Sequence, residues 1–161
     1  MINAIFFDFD GVLTPDKTGS YTICTYISKA TGIDFDKFSL AYRKYNNDLL
    51  YGKTTHEYIW KTLCSGIEID IRHLHDSFVN TPINWPVFEL AKHLKKKYKT
   101  GIITDNKADR ISVIAEKYEL GKYFDTIVVS TSVGSGKGDE KIFRKAVDSA
   151  GVSYIESVFY R

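Results

Sequence analysis

Residues 5–14, Ile5-Phe6-Phe7-Asp8-Phe9-Asp10-Gly11-Val12-Leu13-Thr14, constrain the fold more than any other stretch of the chain. They begin as a short apolar run of the kind that forms a fully buried strand. The run ends on two carboxylates one residue apart, followed by a glycine. Residues i and i+2 of a strand share a face, so the two acids converge if the strand persists to Asp10. If the chain turns there instead, one acid projects forward with the other beside it. Neither acid is tolerated inside an apolar strand unless it is paired, hydrogen-bonded or holding a metal. In open parallel sheets, ligands bind beyond the carboxyl ends of the strands, and that is where Asp8 and Asp10 fall.

The next segment, Pro15 to Ser20, is polar and rich in turn formers. From Tyr21 to Phe78 the apolar spacing is helical. Ile23, Tyr26, Ile27 and Ala30 mark one helix, ended by Gly32. Phe35, Phe38, Ala41, Tyr42 and Tyr45 mark a second. Tyr58, Ile59, Thr62 and Leu63 mark a third, with Thr54 and Glu57 at capping-box spacing, and a shorter helix spans Ile71 to Val79. No strand signal interrupts this block. After a linker punctuated by Pro82 and Pro86, strands and helices alternate. Val87, Leu90, Ala91 and Leu94 form one helix face. Thr100 to Thr104 is a strand, and Ile111, Ile114, Ala115 and Tyr118 carry a helix. Thr126 to Ser130 is a strand, and Phe143, Ala146, Val147 and Ala150 form a helix between Asp139 and Gly151. A last strand begins at Glu156. The pattern predicts an α/β fold: a Rossmann-like parallel sheet with helices on both faces, assembled from residues 1–16 and 82–161, with an all-helical cap inserted at 17–81.

A chain of 161 residues suits one compact domain with a small inserted module. Its net charge of +2 gives no electrostatic case for nucleic-acid or membrane partners. No apolar run approaches membrane-spanning length, and Met1 leads directly into the first strand, so a soluble cytoplasmic protein is expected. Cys24 and Cys64 stand in no metal or redox spacing and read as buried thiols. Lys92, Lys95, Lys96 and Lys97 read as a solvated helix face. His73 and His75 diverge on a helix and make no metal pair. Gly134-Ser135-Gly136-Lys137 lacks the glycine at 131 and the hydroxyl residue at 138 that a phosphate-cradling loop requires.

Three short motifs, each at the tip of a predicted strand and in this order, resemble those of the haloacid dehalogenase (HAD) superfamily. The first is Phe7-Asp8-Phe9-Asp10-Gly11-Val12. The second is Gly101-Ile102-Ile103-Thr104-Asp105-Asn106, an apolar strand ending in a hydroxyl residue. The third runs from Val133 to Phe143, with Lys137 matching the family lysine and Gly138 replacing a common proline. The helical block falls where many members carry a cap. The resemblance implies a magnesium-dependent phosphatase acting on a small phosphorylated metabolite. Asp8 is then the nucleophile, forming an aspartyl-phosphate, and Asp10 the acid and base. Thr104 holds a phosphoryl oxygen, and Lys137 balances charge. Gly11, Asp105 and Asn106 join Thr104 and Lys137 in binding substrate, and magnesium bridges Asp8, the Asp10 carbonyl and the phosphate. Dehalogenases of the superfamily lack the second aspartate, so Asp10 favours phosphoryl transfer.

The family's fourth motif, an acidic pair after the next strand, has no counterpart here: Arg161 stands near the first position. This departure supports one alternative, a catalytically weak or inactive HAD-like domain that binds a ligand or partner; a second, a sugar phosphomutase, would use the same residues as the phosphatase. The departure also implies that the C-terminal part of the core, including the helix that covers the last strand, is missing. The expectation is an exposed sheet edge, with either low stability or a homodimer formed through that edge. Arg43, Lys44, Tyr51 and Lys53 in the cap, and Lys17 and Ser20 beside the first motif, are further candidates for contact with an anionic substrate.

Overall fold

The computed structural model describes residues 1–66 and 69–161. Four strands, β1 (Ala4–Phe7), β2 (Lys99–Thr104), β3 (Thr126–Val129) and β4 (Ser157–Tyr160), form one parallel sheet in the order β3-β2-β1-β4. Helices α1 (Gly19–Thr31), α2 (Phe35–Leu50), α3 (His56–Leu63) and α4 (Arg72–Val79) follow β1. Helix α5 (Trp85–Leu94) precedes β2, α6 (Ala108–Lys117) follows it, and the short α7 (Ser130–Val133) and α8 (Glu140–Ala150) lie between β3 and β4. Ile67 and Glu68, within the segment assigned to the cap, lie outside the described residues.

Alternation along β1 splits the core in two. Phe7 packs with Phe88 and Ala91 of α5, Ile111 and Ile114 of α6 and Phe124 on one face, while Ala4 and Phe6 pack with Ile142, Ala146 and Val147 of α8 on the other. A third cluster, built from Ile23, Ile27, Phe38, Tyr42, Ile59, Trp60, Leu74 and Phe78, holds the four inserted helices together. Asp139 caps the start of α8 and Gly151 ends it, as the sequence predicts.

Several sequence-based details shift. Helix α3 is capped by Thr55, whose hydroxyl accepts from the Tyr58 N–H at 3.2 Å. The neighbouring Thr54 hydroxyl is buried without a partner among the described residues. Tyr58 and Ala30 face solvent, because His56 and Trp60 in α3, and Thr22 and Cys24 in α1, take the inward positions. On α5 the buried residues are Phe88 and Ala91. Val87, Leu90 and Leu94 instead line an apolar groove of about 400 Å³ whose other wall includes Ile5, Phe7, Val158 and Tyr160. Strand β4 pairs with β1 on one side, and among the described residues nothing pairs with its other edge. No helix among the described residues is long and apolar enough to cross a membrane. Cys24 and Cys64 are buried free thiols.

Candidate active site

Strand register brings the site together. Phe7 lies opposite Ile102 of β2 and Tyr160 of β4, and Thr104 lies opposite Val129 of β3, so all four strands end at one edge. Asp8 is the first residue past β1, and its N–H donates to the Tyr160 carbonyl at 2.9 Å. This last ladder bond places Arg161 beside it. The chain then makes one wide turn over Phe9–Leu13, closed by the Thr14 N–H donating to the Phe9 carbonyl at 3.1 Å. Gly11 sits in that turn at φ +83°, a conformation that residues with a Cβ rarely adopt.

The Asp8 carboxylate is buried, with one partner on each oxygen. One oxygen accepts from the Phe9 N–H at 2.8 Å, and the other is ion-paired with Lys137 Nζ at 2.5 Å. The Lys137 backbone is anchored in turn, since its N–H donates to Asp105 Oδ1 at 2.8 Å. Thr104, at the end of β2, is buried, and its hydroxyl accepts from Asn106 Nδ2 at 3.3 Å. Asp8, Asp10, Thr104, Asp105 and Lys137 line a single cavity of about 280 Å³.

Asp10 is held from behind. Both its oxygens accept from the Arg110 guanidinium, each at 3.0 Å, and Asn106 Nδ2 donates to one of them at 2.8 Å. Asn106 Oδ1 closes the network by accepting from Arg110 at 3.0 Å. Arg110 is wholly buried and lies over the Phe9 ring. A bidentate guanidinium–carboxylate pair fixes orientation as well as charge. Gly19 makes the approach of α1 to this pair possible: a Cβ there would stand 2.3 Å from an Arg110 nitrogen and 3.0 Å from Asp10 Oδ2.

The opposite wall of the cavity comes from the helical block: Lys17, Thr18 and Ser20 just after the first turn, and Asn46 and Leu50 on α2. Lys107 joins them from the loop entering α6. Its ammonium donates to Ser20 Oγ at 3.0 Å and Asn46 Oδ1 at 2.8 Å, over the Tyr42 ring. Burial, with Arg110 nearby, pushes the Lys107 amine down to about 8. Counting Lys17, Lys107, Lys137 and Arg161 against Asp8, Asp10 and Asp105, the lining carries four cations and three carboxylates. Such a hollow suits an anionic ligand.

Two of the residues expected in the site stand apart from this lining. Gly11 is exposed in the turn, and Asn106 is spent on Asp10 and Arg110. Arg43, Lys44 and Lys53 are exposed and do not reach the cavity, whereas Lys17 and Ser20 do. Sequence reasoning missed Lys107, Arg110 and Asn46. The first two had a legible signal: Arg110 falls in the α6 stripe with Ile111 and Ile114, and Lys107 carries the same spacing back to the residue before the helix, where a charge demands a reason. Asn46 had none.

A family model of haloacid dehalogenase-like hydrolases matches residues 2–160. The chain belongs to that family. This HAD-like hydrolase is 32% identical over 105 residues to bifunctional epoxide hydrolase 2 of Sus scrofa, a match covering 59% of the chain and 19% of the pig protein. It is also 32% identical over 91 residues to the pyrimidine 5'-nucleotidase YjjG of Escherichia coli strain K12, covering 53% of the chain and 40% of that protein. The matches thus span less than half the length of either relative. Among solved structures, a HAD family enzyme of Bacteroides thetaiotaomicron in complex with magnesium and inorganic phosphate superposes with a TM-score of 0.72 at 16% identity, over 99% of this chain and 84% of that one. The L-2-haloacid dehalogenase of Xanthobacter autotrophicus with chloropropionic acid covalently bound gives 0.68 at 16% identity, over 99% and 69%. At such identities the structural likeness establishes the HAD fold, which the hydrolase shares with both.

Proposed function

We propose that this HAD-like hydrolase is a magnesium-dependent phosphatase of a small phosphorylated metabolite. The observation that carries the reading is the buried Asp8 carboxylate, ion-paired with Lys137 beside the Thr104 hydroxyl, in a cavity where cations outnumber acids. An anionic nucleophile attacks a phosphate ester only where positive charge and donors offset the repulsion. Asp8 forms a bond from its carboxylate oxygen to phosphorus as the ester oxygen departs. Asp10, once its Oδ1 has let go of the Arg110 bond it makes at rest, gives that oxygen a proton, and then takes one from the water that cleaves the aspartyl-phosphate. Thr104 and Lys137 hold the phosphoryl oxygens, while Arg110 and Asn106 keep Asp10 in place.

Magnesium takes oxygen ligands and keeps several waters. The Asp8 carboxylate and the Asp10 carbonyl are donors of that kind, and they would hold the ion. No group of three acidic, His or Cys side chains is placed to hold a metal among the described residues, so the donor set fits a hydrated, sparsely held ion. When bound, magnesium supplies positive charge beside the phosphoryl group. The Arg161 cation in the cavity lining also favours a second reading, a ligand-binding domain with weak or no turnover.

Hydrolysis of para-nitrophenyl phosphate under a magnesium titration separates the two. The phosphatase reading expects magnesium-dependent turnover that Asp8→Asn abolishes. Absence of turnover at saturating magnesium, or turnover that survives Asp8→Asn, overturns it.

A further inference from the structure

Lys107 is nearly wholly buried, yet among the described residues no carboxylate is ion-paired with it. A buried ammonium without a counter-ion is costly, and its sequestered position marks a functional-site candidate. Two of its three N–H bonds go to neutral oxygens, Ser20 Oγ and Asn46 Oδ1, and the side chain rests on Tyr42. Lys107, Ser20 and Asn46 all line the cavity that contains Asp8, as do Lys17 and Thr18. Arg110 is paired directly with Asp10, whereas Asp10 and Asp109 act on Lys107 only from beyond ion-pair distance, so its direct partners are all neutral.

Lys137 lies in contact with the nucleophile, whereas Lys107 is bound to the helical wall. A phosphoryl group seated at Asp8, Thr104 and Lys137 therefore leaves its ester oxygen and the rest of the molecule to face Ser20, Asn46 and Lys107.

We infer that Lys107, oriented by Ser20 and Asn46, anchors a second oxyanion carried on the leaving group of the substrate. The preferred substrate is thus a small phosphomonoester that bears a carboxylate or a second phosphate. The inference rests on the phosphatase reading for turnover but not for binding. A neutral polyol would leave the buried ammonium unpaired, whereas an oxyanion gives it a charge-assisted hydrogen bond.

The experiment compares glycerol phosphate, phosphoglycerate and a propanediol bisphosphate on wild type, Lys107→Met and Lys107→Arg. A hydrogen bond to a charged group predicts a kcat/KM for at least one of the two substrates with a second oxyanion about ten- to a hundredfold above that for glycerol phosphate. Which of the two is favoured tells carboxylate from phosphate. Lys107→Met should bring the ratio close to one, and Lys107→Arg should retain most of it. Equal kcat/KM for all three on wild type overturns the inference without reference to any variant, as does a preference that Lys107→Met leaves intact. If turnover is absent, calorimetric binding of the same compounds to Asp8→Asn protein decides between the outcomes. Preferential binding of the second oxyanion then upholds the anchor while the phosphatase reading fails, and equal or no binding overturns the anchor.

Discussion

Replacing Lys107 by Met should change how stability depends on pH, in a direction set by burial. The Lys107 amine lies at about 8 in the fold against 10.5 for the free side chain, chiefly because burial disfavours the ammonium and secondarily because Arg110 is near. Below pH 8 the lysine is protonated in both states, and the folded protein bears the full penalty. Between about 8 and 10.5 the folded lysine has lost its proton while the unfolded one keeps it. The unfolded state then binds more protons, so stability rises with pH. The gap is worth about 3 kcal/mol. Met fills a similar volume without charge, and Ser20 Oγ still donates to Asn46 Oδ1 at 2.8 Å, so the substitution leaves that pair bonded. Urea denaturation of both proteins from pH 7 to 10.5 provides the test. Cys24, pushed up to about 12 by burial, works in the opposite sense: its unfolded thiol ionises near 9.0 while the folded one stays protonated. It does so in both proteins and largely cancels in the difference. Wild type should gain about 3 kcal/mol on the variant across the interval. Parallel curves, constant to within about 0.5 kcal/mol, would refute the account of Lys107 as a buried, unpaired cation.

Removing Arg110 from its buried pair, as Arg110→Met, should destabilise the fold by about 3–5 kcal/mol in urea melts, and a double-mutant cycle with Asp10→Asn should recover part of the loss. Gly19→Ala, which thrusts a methyl at the same guanidinium, should likewise lower stability, with a crystal structure showing Arg110 displaced. For the proposed phosphatase, Asp10→Asn should cut kcat by about a hundred- to ten-thousandfold. Among the described residues the outer edge of β4 is unpaired and an apolar groove runs along its face, and on that we propose a homodimer. Sedimentation should show concentration-dependent association, and a monomer at every concentration would end that proposal.

The sheet was legible because its strands are short apolar runs separated by helical periods, and the three polar motifs sit where those runs stop. Asp8, Thr104 and Lys137 were brought together by the resemblance of those motifs to the HAD superfamily, and one cavity holds all three. The orientation of α5 could not: its apolar residues cover more than one face, and periodicity does not say that Phe88 and Ala91 are buried while Leu90 lines an open groove. The cap of α3 was misread by one residue because Thr54 and Thr55 both offer a hydroxyl, and the choice depends on backbone direction. Asn46 was invisible because nothing local distinguishes it on a polar helix face. It matters through Lys107, which lies 61 positions away in the chain.

One chain of polar groups, buried at His56 and Tyr42 and open to solvent at Asp109, spans the seam between the inserted helices and the sheet layer. Asp109 of α6 lies 2.5 Å from His56 Nδ1, and His56 Nε2 lies 2.7 Å from the Tyr42 hydroxyl, with Tyr42 and Phe78 against the imidazole. The end of α2 is tied to α7 as well, through the Ser130 and Thr131 hydroxyls on the Leu50 and Leu49 carbonyls. Lifting the helices would break the His56–Asp109 contact and the bonds from α7 to the end of α2, while Tyr42 and His56, both on inserted helices, would stay paired. The inserted helices are thus fastened to the sheet layer at two separate points, and a cavity wall held in that way is shaped before its ligand arrives.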